Sequence, residues 1–520
     1  MKTNLIFQSA LLAGVAVLPS LAQAQKKTAT SKTAKPNILL IVGDDLNCST
    51  TPMFGCKVPD LMPNIERLSK EGMLFRQAHV VSGASQVSRG GIMTGLYPHS
   101  SGIDGFYHTT KNIPTVQETL RANGYHLGII CKVAHSTPKE SITWDMTVDG
   151  PATKQGRDPK VYYENMTAFF KECNKNGKPF FFMANSIDPH RPFAGSLQEK
   201  QKMGKNRSYP DPKRMYKPEE IEVPGFVPDL PEVREEAAQY FSSVHRLDES
   251  VGQMLRALKE SGLEDNTIIF FISDNGMSMP FSKTNCYLHS TRTPLIVKYP
   301  GVTKPGSEDD VHFVNGIDFM PTWFEAAGIP VPSSIQGKSF LPVLRGEKQS
   351  GREMIFTEFT ENSGRAREPM RAVQDKKYGY IYNVWSDGQR QFKSETTAGL
   401  TFNAMVAAGA TDQAIQDRVD LFLYRVKEEF YDYEKDPDAL KNLIDDPAYQ
   451  KEVDKYRKIM ENHLEATKDP ILAPFRKRND DAFTSSYMAD QNAIVKARMQ
   501  AQKAAGNQNN NKNNSNAKKK

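Results

Sequence analysis

The chain of 520 residues has only five cysteines, at positions 48, 56, 131, 173 and 286. So few cannot staple a disulfide-rich scaffold, and their scattered spacing lacks the paired ligands of a zinc site. An odd count also leaves at least one thiol unpaired, even in a compartment that permits one or two bridges. An excess of one charge is missing too: 67 lysines and arginines against 61 aspartates and glutamates leave a net +6, part of it in the terminal NNKNNSNAKKK. No strongly basic face follows, so nucleic acid is not an expected partner. Past the first two dozen residues, no stretch reaches the roughly 18 unbroken apolar residues of a membrane span. Internal repeats are absent as well.

The opening MKTNLIFQSALLAGVAVLPSLAQAQ has a lysine at position 2, an apolar run and an AQA triplet ending at Ala24. This is the pattern of a cleaved secretory leader over residues 1–24, with Gln25 the first mature residue. The competing reading is a buried N-terminal helix. No cysteine follows the run, so a lipid anchor has no support there. The mature protein is expected to be exported, periplasmic or secreted, without a transmembrane segment.

Composition is that of a globular protein, 38% hydrophobic and 25% charged, and the length allows one or two domains. PNILLIVGDD at 36–45 reads as a buried strand with two aspartates at its C-terminal end. KPFFFMANSIDPH and NTIIFFISDNG read the same way, again with polar groups gathered at the C-terminal end. Between them, MPNIERLSKEGMLF, TVQETLRANG and the long PEVREEAAQYFSSVHRLDESVGQMLRALKESG carry helical periodicity. Strands alternating with helices predict an α/β fold whose mainly parallel sheet is sandwiched by helices. After about residue 350 the pattern changes to shorter strands with turns (EMIFTEF, MRAVQDKKYGYIYN, EEFYDYEKDP), followed by a helix. The expected organisation is a main catalytic domain over 25–350, a smaller antiparallel sheet-plus-helix subdomain over 351–481, and a polar, largely disordered tail over 482–520.

In open α/β sheets, ligands bind beyond the carboxyl ends of the strands. Here those ends carry Asp44-Asp45, Asp188-Pro189-His190 and Asp274-Asn275. Four carboxylates and a carboxamide from separate strands suit a hard divalent cation, which takes oxygen ligands. Taken singly, DD after a strand and SDNG are common turn sequences; their shared placement is the signal. GASQVSRGGIMTG, Gly83 to Gly95, stands apart. It is poor in large apolar residues, carries a lone arginine, and opens a helix with Ser85 four residues ahead of Arg89. The bland reading makes Ser85 a helix cap.

These stretches together resemble the formylglycine-dependent (type I) sulfatases of the alkaline-phosphatase superfamily. The resemblance runs through PNILLIVGDD, SRGGIMTGLYPHSSGI, DPHRPF, SDNG, TPLIVKYPG and FYDYEKDPDALKNL, in the family's order, over roughly residues 36–465. The family's nucleophile motif, Cys or Ser then x-Pro-x-Arg with a Thr-Gly behind, reads here Ser85-Gln86-Val87-Ser88-Arg89 with Thr94-Gly95. The resemblance implies that a maturation enzyme oxidises Ser85 to a formylglycine, whose hydrate supplies the attacking oxygen that a plain hydroxyl supplies poorly. Val87 stands where the family has proline, a departure in the part of the motif that the maturation enzyme reads.

The same resemblance implies the other roles. Asp44, Asp45, Asp274 and Asn275, with the modified Ser85, match the family's metal ligands, and the metal it implies is Ca2+. Arg89 orients the aldehyde hydrate. Lys132 and His135 in CKVAHS match the family's Lys and His after the third strand, with two residues between them as in some glycosaminoglycan-acting members. His135 is the base that acts when sulfate leaves. His190 in DPHRPF and Lys283 in FSKTN contact the sulfate and the leaving atom, as cationic donors around developing negative charge.

Several segments look most like the heparan N-sulfatase (sulfamidase) branch, among them SDNGMSMPFSKTNCYLHSTRTPLIV and EPMRAVQDKKYGYIYN. The substrate that branch implies is a sulfated carbohydrate with N-sulfoglucosamine at a glycan end. The alternatives are an O-sulfatase on mucin or other glycosaminoglycan sugars, a phosphatase or phosphodiesterase of the same superfamily, and a non-catalytic binder of sulfated glycans that keeps Ser85 unmodified. The stretches WSDGQRQFKSE and FTENSGRAREPMR are candidates to read the sugar, or else solvated loops.

Overall fold

The computed structural model of the protein describes residues 35–517, with side chains through Ala501; the leader expected over 1–24 lies outside the described residues. Nine strands precede residue 310: β1 (Asn37–Asp44), β2 (Met73–Phe75), β3 (Ala78–His79), β4 (His126–Ile130), β5 (Met146–Val148), β6 (Phe180–Pro189), β7 (Thr267–Ser273), β8 (Leu295–Lys298) and β9 (Ser307–Asp309). Then follow β10 (Val314–Asn315), β11 (Ile355–Glu361), β12 (Arg367–Gln374), β13 (Tyr378–Asn383) and β14 (Glu428–Asp432). The main sheet runs in the order β5-β4-β6-β1-β7-β8-β2-β9, with β3 and β10 forming a separate short pair. Its pairings are parallel except where β8 meets β7 and β2.

β1 is central, and all of its residues are buried. A strand covered on both faces favours apolar side chains throughout, and ILLIV at 38–42 supplies them. Successive side chains point to opposite faces: Leu39 and Ile41 join one core cluster while Ile38, Leu40 and Val42 join the other. The first cluster packs the long helix Pro231–Glu260 through Val244, Leu247 and Val251; the second packs Trp323 and Phe319 from the opposite side. This is the helix-sandwiched, mainly parallel sheet expected from the alternating pattern.

The change of pattern near residue 350 is a change of sheet. β11 to β14 form an antiparallel four-stranded sheet in sequential order. Its buried Val373, Tyr380 and Phe430 belong to the same apolar cluster as Leu39 of the main sheet, so the core crosses that point without a break.

The segment from 482, expected to be largely disordered, is instead part of a helix, Asp481–Ala517. Thr484, Met488 and Gln491 are buried at spacings of one helical face, and Arg498 donates to Glu361 on β11. Polar composition hid this short contact face. No helix among the described residues is long and apolar enough to cross a membrane. All five cysteines are buried and unpaired, so none of the bridges the sequence allowed for forms.

Candidate active site

Strand register builds the site. Asp44 at the end of β1 lies beside Pro189 of β6, and Gly43 lies beside Ser273 of β7. His190 and Asp274, the next residues on the two neighbours, are thereby brought to the two sides of the β1 tip. Asp45 turns back with φ +71°, a left-handed conformation uncommon outside glycine. Carboxylate oxygens of Asp44, Asp45 and Asp274 all fall within 4.8 Å of one another, fully buried. Asn275 joins them by donating from Nδ2 to Asp45 Oδ1 at 2.7 Å.

Ser85 joins the cluster as the first residue of the helix Ser85–Thr94. Its Oγ lies 3.3 Å from Asp44 Oδ1 and 3.2 Å from Asn275 Oδ1. It makes no capping bond to the helix backbone, so the cap reading of this serine does not hold. The approach depends on Gly83: a Cβ there would stand 2.1 Å from Ser290 Oγ and 2.6 Å from the Asn285 carbonyl. Four residues on, the helical repeat brings Arg89 back to the same cluster. Its Nε donates to Asp274 Oδ2 at 3.0 Å, and its other arm reaches Asn185 Oδ1 on β6.

Cations close the rim. Lys132 pairs with Asp44, and it and Cys131 take φ of +52° and +59°. Two consecutive non-glycine residues in that region store backbone strain at the turn that aims the ammonium. Lys283 donates to Asp45 Oδ2 at 2.7 Å and also pairs with Glu395. His190 Nδ1 lies 2.7 Å from the Arg191 carbonyl, which only accepts; Nδ1 therefore carries a proton, and Nε2 is the atom 3.9 Å from Asp45. The His135 ring lies edge-on to Phe106 at 5.5 Å, with a buried Nδ1 that has no partner.

Burial and charge set the protonation states. Burial would raise Asp44, but Lys132, Arg89 and Lys283 outweigh it and hold this carboxyl well below the usual range. Burial, with repulsion from Asp44, pushes Asp45 and Asp274 up to about 6 against Lys283 and Arg89. Desolvation and the nearby ammonium groups push His135 down to about 3 and His190 down to about 4, so both imidazoles are neutral. Lys283 holds Glu395 at about 2, ionised.

The donor set fits a hard divalent cation. Three crowded carboxylates repel one another unless a cation sits among them, and every offered atom is oxygen. Asp44 Oδ2 is buried and meets the Lys132 ammonium, so the chain already supplies part of the positive charge that this oxygen cluster draws. A second group, Asp45, His190 and Glu395, also lies within 4.8 Å, but the Lys283 ammonium pairs with both of its carboxylates. One cation position is thus already filled by the chain itself.

All ten residues expected from the sequence therefore lie in or around one site. Asp188 does not join it as a ligand. Its carboxylate instead meets Arg246, at 2.7 and 3.0 Å, and Arg157, two buried guanidinium groups that neutralise it. Two participants escaped the sequence reading. Asn185 lies in the middle of an apolar strand, where a lone amide breaking a run of hydrophobes was the available signal. Glu395 ends the WSDGQRQFKSE stretch, a candidate to read the sugar, but no local pattern singled out this acid within it.

Comparison with known proteins agrees with this geometry. A family model described as "Sulfatase" matches residues 36–329, and one described as "N-sulphoglucosamine sulphohydrolase, C-terminal" matches residues 276–391. The chain is 26% identical to the human protein named N-sulphoglucosamine sulphohydrolase, over 85% of this chain and 92% of that one. It is 27% identical to an N-acetylglucosamine-6-O-sulfatase of Bacteroides thetaiotaomicron, over 67% of this chain and 76% of the relative. The solved structure of BT4656 in complex with its substrate D-glucosamine-2-N,6-O-disulfate superposes with a TM-score of 0.63 at 19% identity, covering 84% of this chain and 99% of that one. The phosphonate monoester hydrolase of Agrobacterium radiobacter shares the fold, with a TM-score of 0.62 at 16% identity over 83% of this chain and 96% of that one.

Proposed function

The chain belongs to the sulfatase family, and from that premise we propose that it is an exported, calcium-dependent enzyme that releases sulfate from sulfated glycans through a formylglycine formed at Ser85. That it hydrolyses sulfate esters or sulfamates follows from the family; the finer terms are our reading. N-sulfoglucosamine at the end of a heparan-type chain is the substrate this reading favours, supported by the likeness to the human N-sulphoglucosamine sulphohydrolase over most of both chains. The observation that carries it is the contact of Ser85 Oγ with Asp44 and Asn275 inside a cluster of buried carboxylates.

In this reading Asp44, Asp45, Asp274, Asn275 and residue 85 hold Ca2+, which would supply positive charge beside the attacking oxygen and the sulfate. The aldehyde at 85 would supply a hydrated carbon whose oxygen attacks sulfur. The chain's own groups do the rest. Arg89, anchored by Asp274 and Asn185, fixes the oxygen of residue 85, and the helix N-terminus favours negative charge there. Lys132 and Lys283 flank the carboxylates where the sulfate would sit, balancing charge as it builds. His135 is neutral with an open Nδ1, ready to take a proton from residue 85 when sulfate departs. His190 is placed to give a proton to the leaving atom once an anion beside it has raised its basicity.

An O-sulfatase is the second reading, supported by the likeness to the Bacteroides 6-O-sulfatase. A two-metal phosphatase is disfavoured, since Lys283 fills the second cation position. The maturation enzyme that acts on Ser85 is the required partner.

The test is mass spectrometry of the peptide containing Ser85 from the native host. Loss of two hydrogens is expected there, and Ser85→Ala is expected to stop sulfate release. An intact serine in active protein, or full activity in the alanine variant, overturns the mechanism.

A further inference from the structure

Glu395 brings a further carboxylate to the site, paired with Lys283 on its more exposed side. It is held in place from two directions. Thr284, next to Lys283, bonds Ser394 at 2.8 Å. On its other flank, the backbone N–H groups of Leu400 and Thr401 donate to Glu236, which pairs with Arg191 beside His190. Side-chain exposure rises outward from Asp45 at 0%, through Lys283 at 5%, to Glu395 at 33%. The sulfate must reach Ser85 at the inner end, so the sugar stays at the outer end. Glu395 therefore stands near the level of the atom that joins the two.

A carboxylate there accepts hydrogen bonds and offers none. A sulfate ester presents a bridging oxygen, a second acceptor, to that carboxylate. A sulfamate presents an N–H. The products differ as well: R–NH–SO3− and water give R–NH3+ and sulfate dianion as the S–N bond breaks, with both water protons ending on nitrogen. An ester instead leaves a neutral hydroxyl. Only N-desulfation creates a cation at the atom facing Glu395.

Resting on the reading of this site as a glycan sulfatase, we propose that Glu395 is a specificity-determining residue that selects sulfamates over sulfate esters by accepting the N–H and pairing with the ammonium formed from it. Its partnership with Lys283 keeps the carboxylate charged and aimed while the lysine contacts the sulfate.

The experiment compares Glu395→Gln and Glu395→Asp with the parent protein on glucosamine N-sulfate, glucosamine 6-O-sulfate and 4-nitrophenyl sulfate. Glutamine keeps the shape and removes the charge. Its kcat/KM on the N-sulfate is expected to fall about 10- to 100-fold further than on either ester, the range of a charge-assisted hydrogen bond. Aspartate is expected to restore part of the preference for the N-sulfate. A role only in steadying Lys283 lowers all three substrates alike, and that result overturns the inference. So does a parent protein that cleaves the esters but not the N-sulfate, which leaves the sulfatase reading intact. A matured parent protein that cleaves none of the three overturns both.

Discussion

Residues in this molecule take protonation states that their free forms do not have, and His99 shows it outside the candidate site. Its Nδ1 lies 2.6 Å from Glu358 Oε1 and its Nε2 lies 3.1 Å from the Thr467 carbonyl. Neither partner donates when Glu358 is ionised, so both ring nitrogens carry protons. Burial would lower this histidine, but Glu358 and Asp469 outweigh it and raise it above 6.5. A histidine raised by folding binds its proton more tightly in the native state. Its stabilisation is fully present below the unfolded value of 6.5 and is lost as pH rises through the raised folded value. His463, pushed down to about 3 by burial, acts oppositely below 6.5, so the contribution of His99 must be read as a difference. The gap in Tm between the parent protein and His99→Gln is expected to be widest in mildly acidic buffer and to narrow toward alkaline pH. A gap that does not change with pH would remove the imidazolium assignment.

Elements decided what could be read in advance. β1, β6 and β7 were legible because a strand buried on both faces must be apolar throughout, so the polar residues that end it stand out. Asp44, Asp45, His190, Asp274 and Asn275 all sit at such ends. Ser85 and Arg89 were legible as one helical turn. Orientation was not: Asp188 shares its strand end with His190 yet turns to Arg246, a partner on the helix Pro231–Glu260 that no local pattern announces. Glu395 reaches Lys283 across 112 positions of chain, a juxtaposition that only the packed sheets create. The C-terminal helix failed for a different reason, since a few contact residues are diluted by lysine, glutamine and asparagine. Met488 is 2% exposed, and Met488→Ala is expected to cost about 2–5 kcal/mol, as for other buried methionines. Chemical denaturation measures it; a loss under about 0.5 kcal/mol, typical of surface positions, would mean that this helix does not pack in solution.

At the scale of the whole molecule, the two sheets share one apolar cluster, and the candidate site ties together the parts that pack around it. Asp44 and Asp45 come from β1, Asp274 and Asn275 follow β7, and Ser85 begins a helix lying outside the sheet. An ion held by all three binds the folded chain and has no equivalent site in the unfolded one. Its binding free energy then adds to global stability, by about 2.7 kcal/mol at a free concentration one hundred times the dissociation constant. The Tm of the whole chain is expected to rise with added Ca2+ and to fall on chelation, with circular dichroism and residual sulfatase activity moving together. Asp274→Asn removes one ligand charge and loosens Arg89. That variant is expected to melt near the calcium-free parent protein and to respond weakly to the ion. Equal calcium shifts in variant and parent would place the cation elsewhere on the molecule, and the buried carboxylates would then be held apart by Lys132, Arg89 and Lys283 alone.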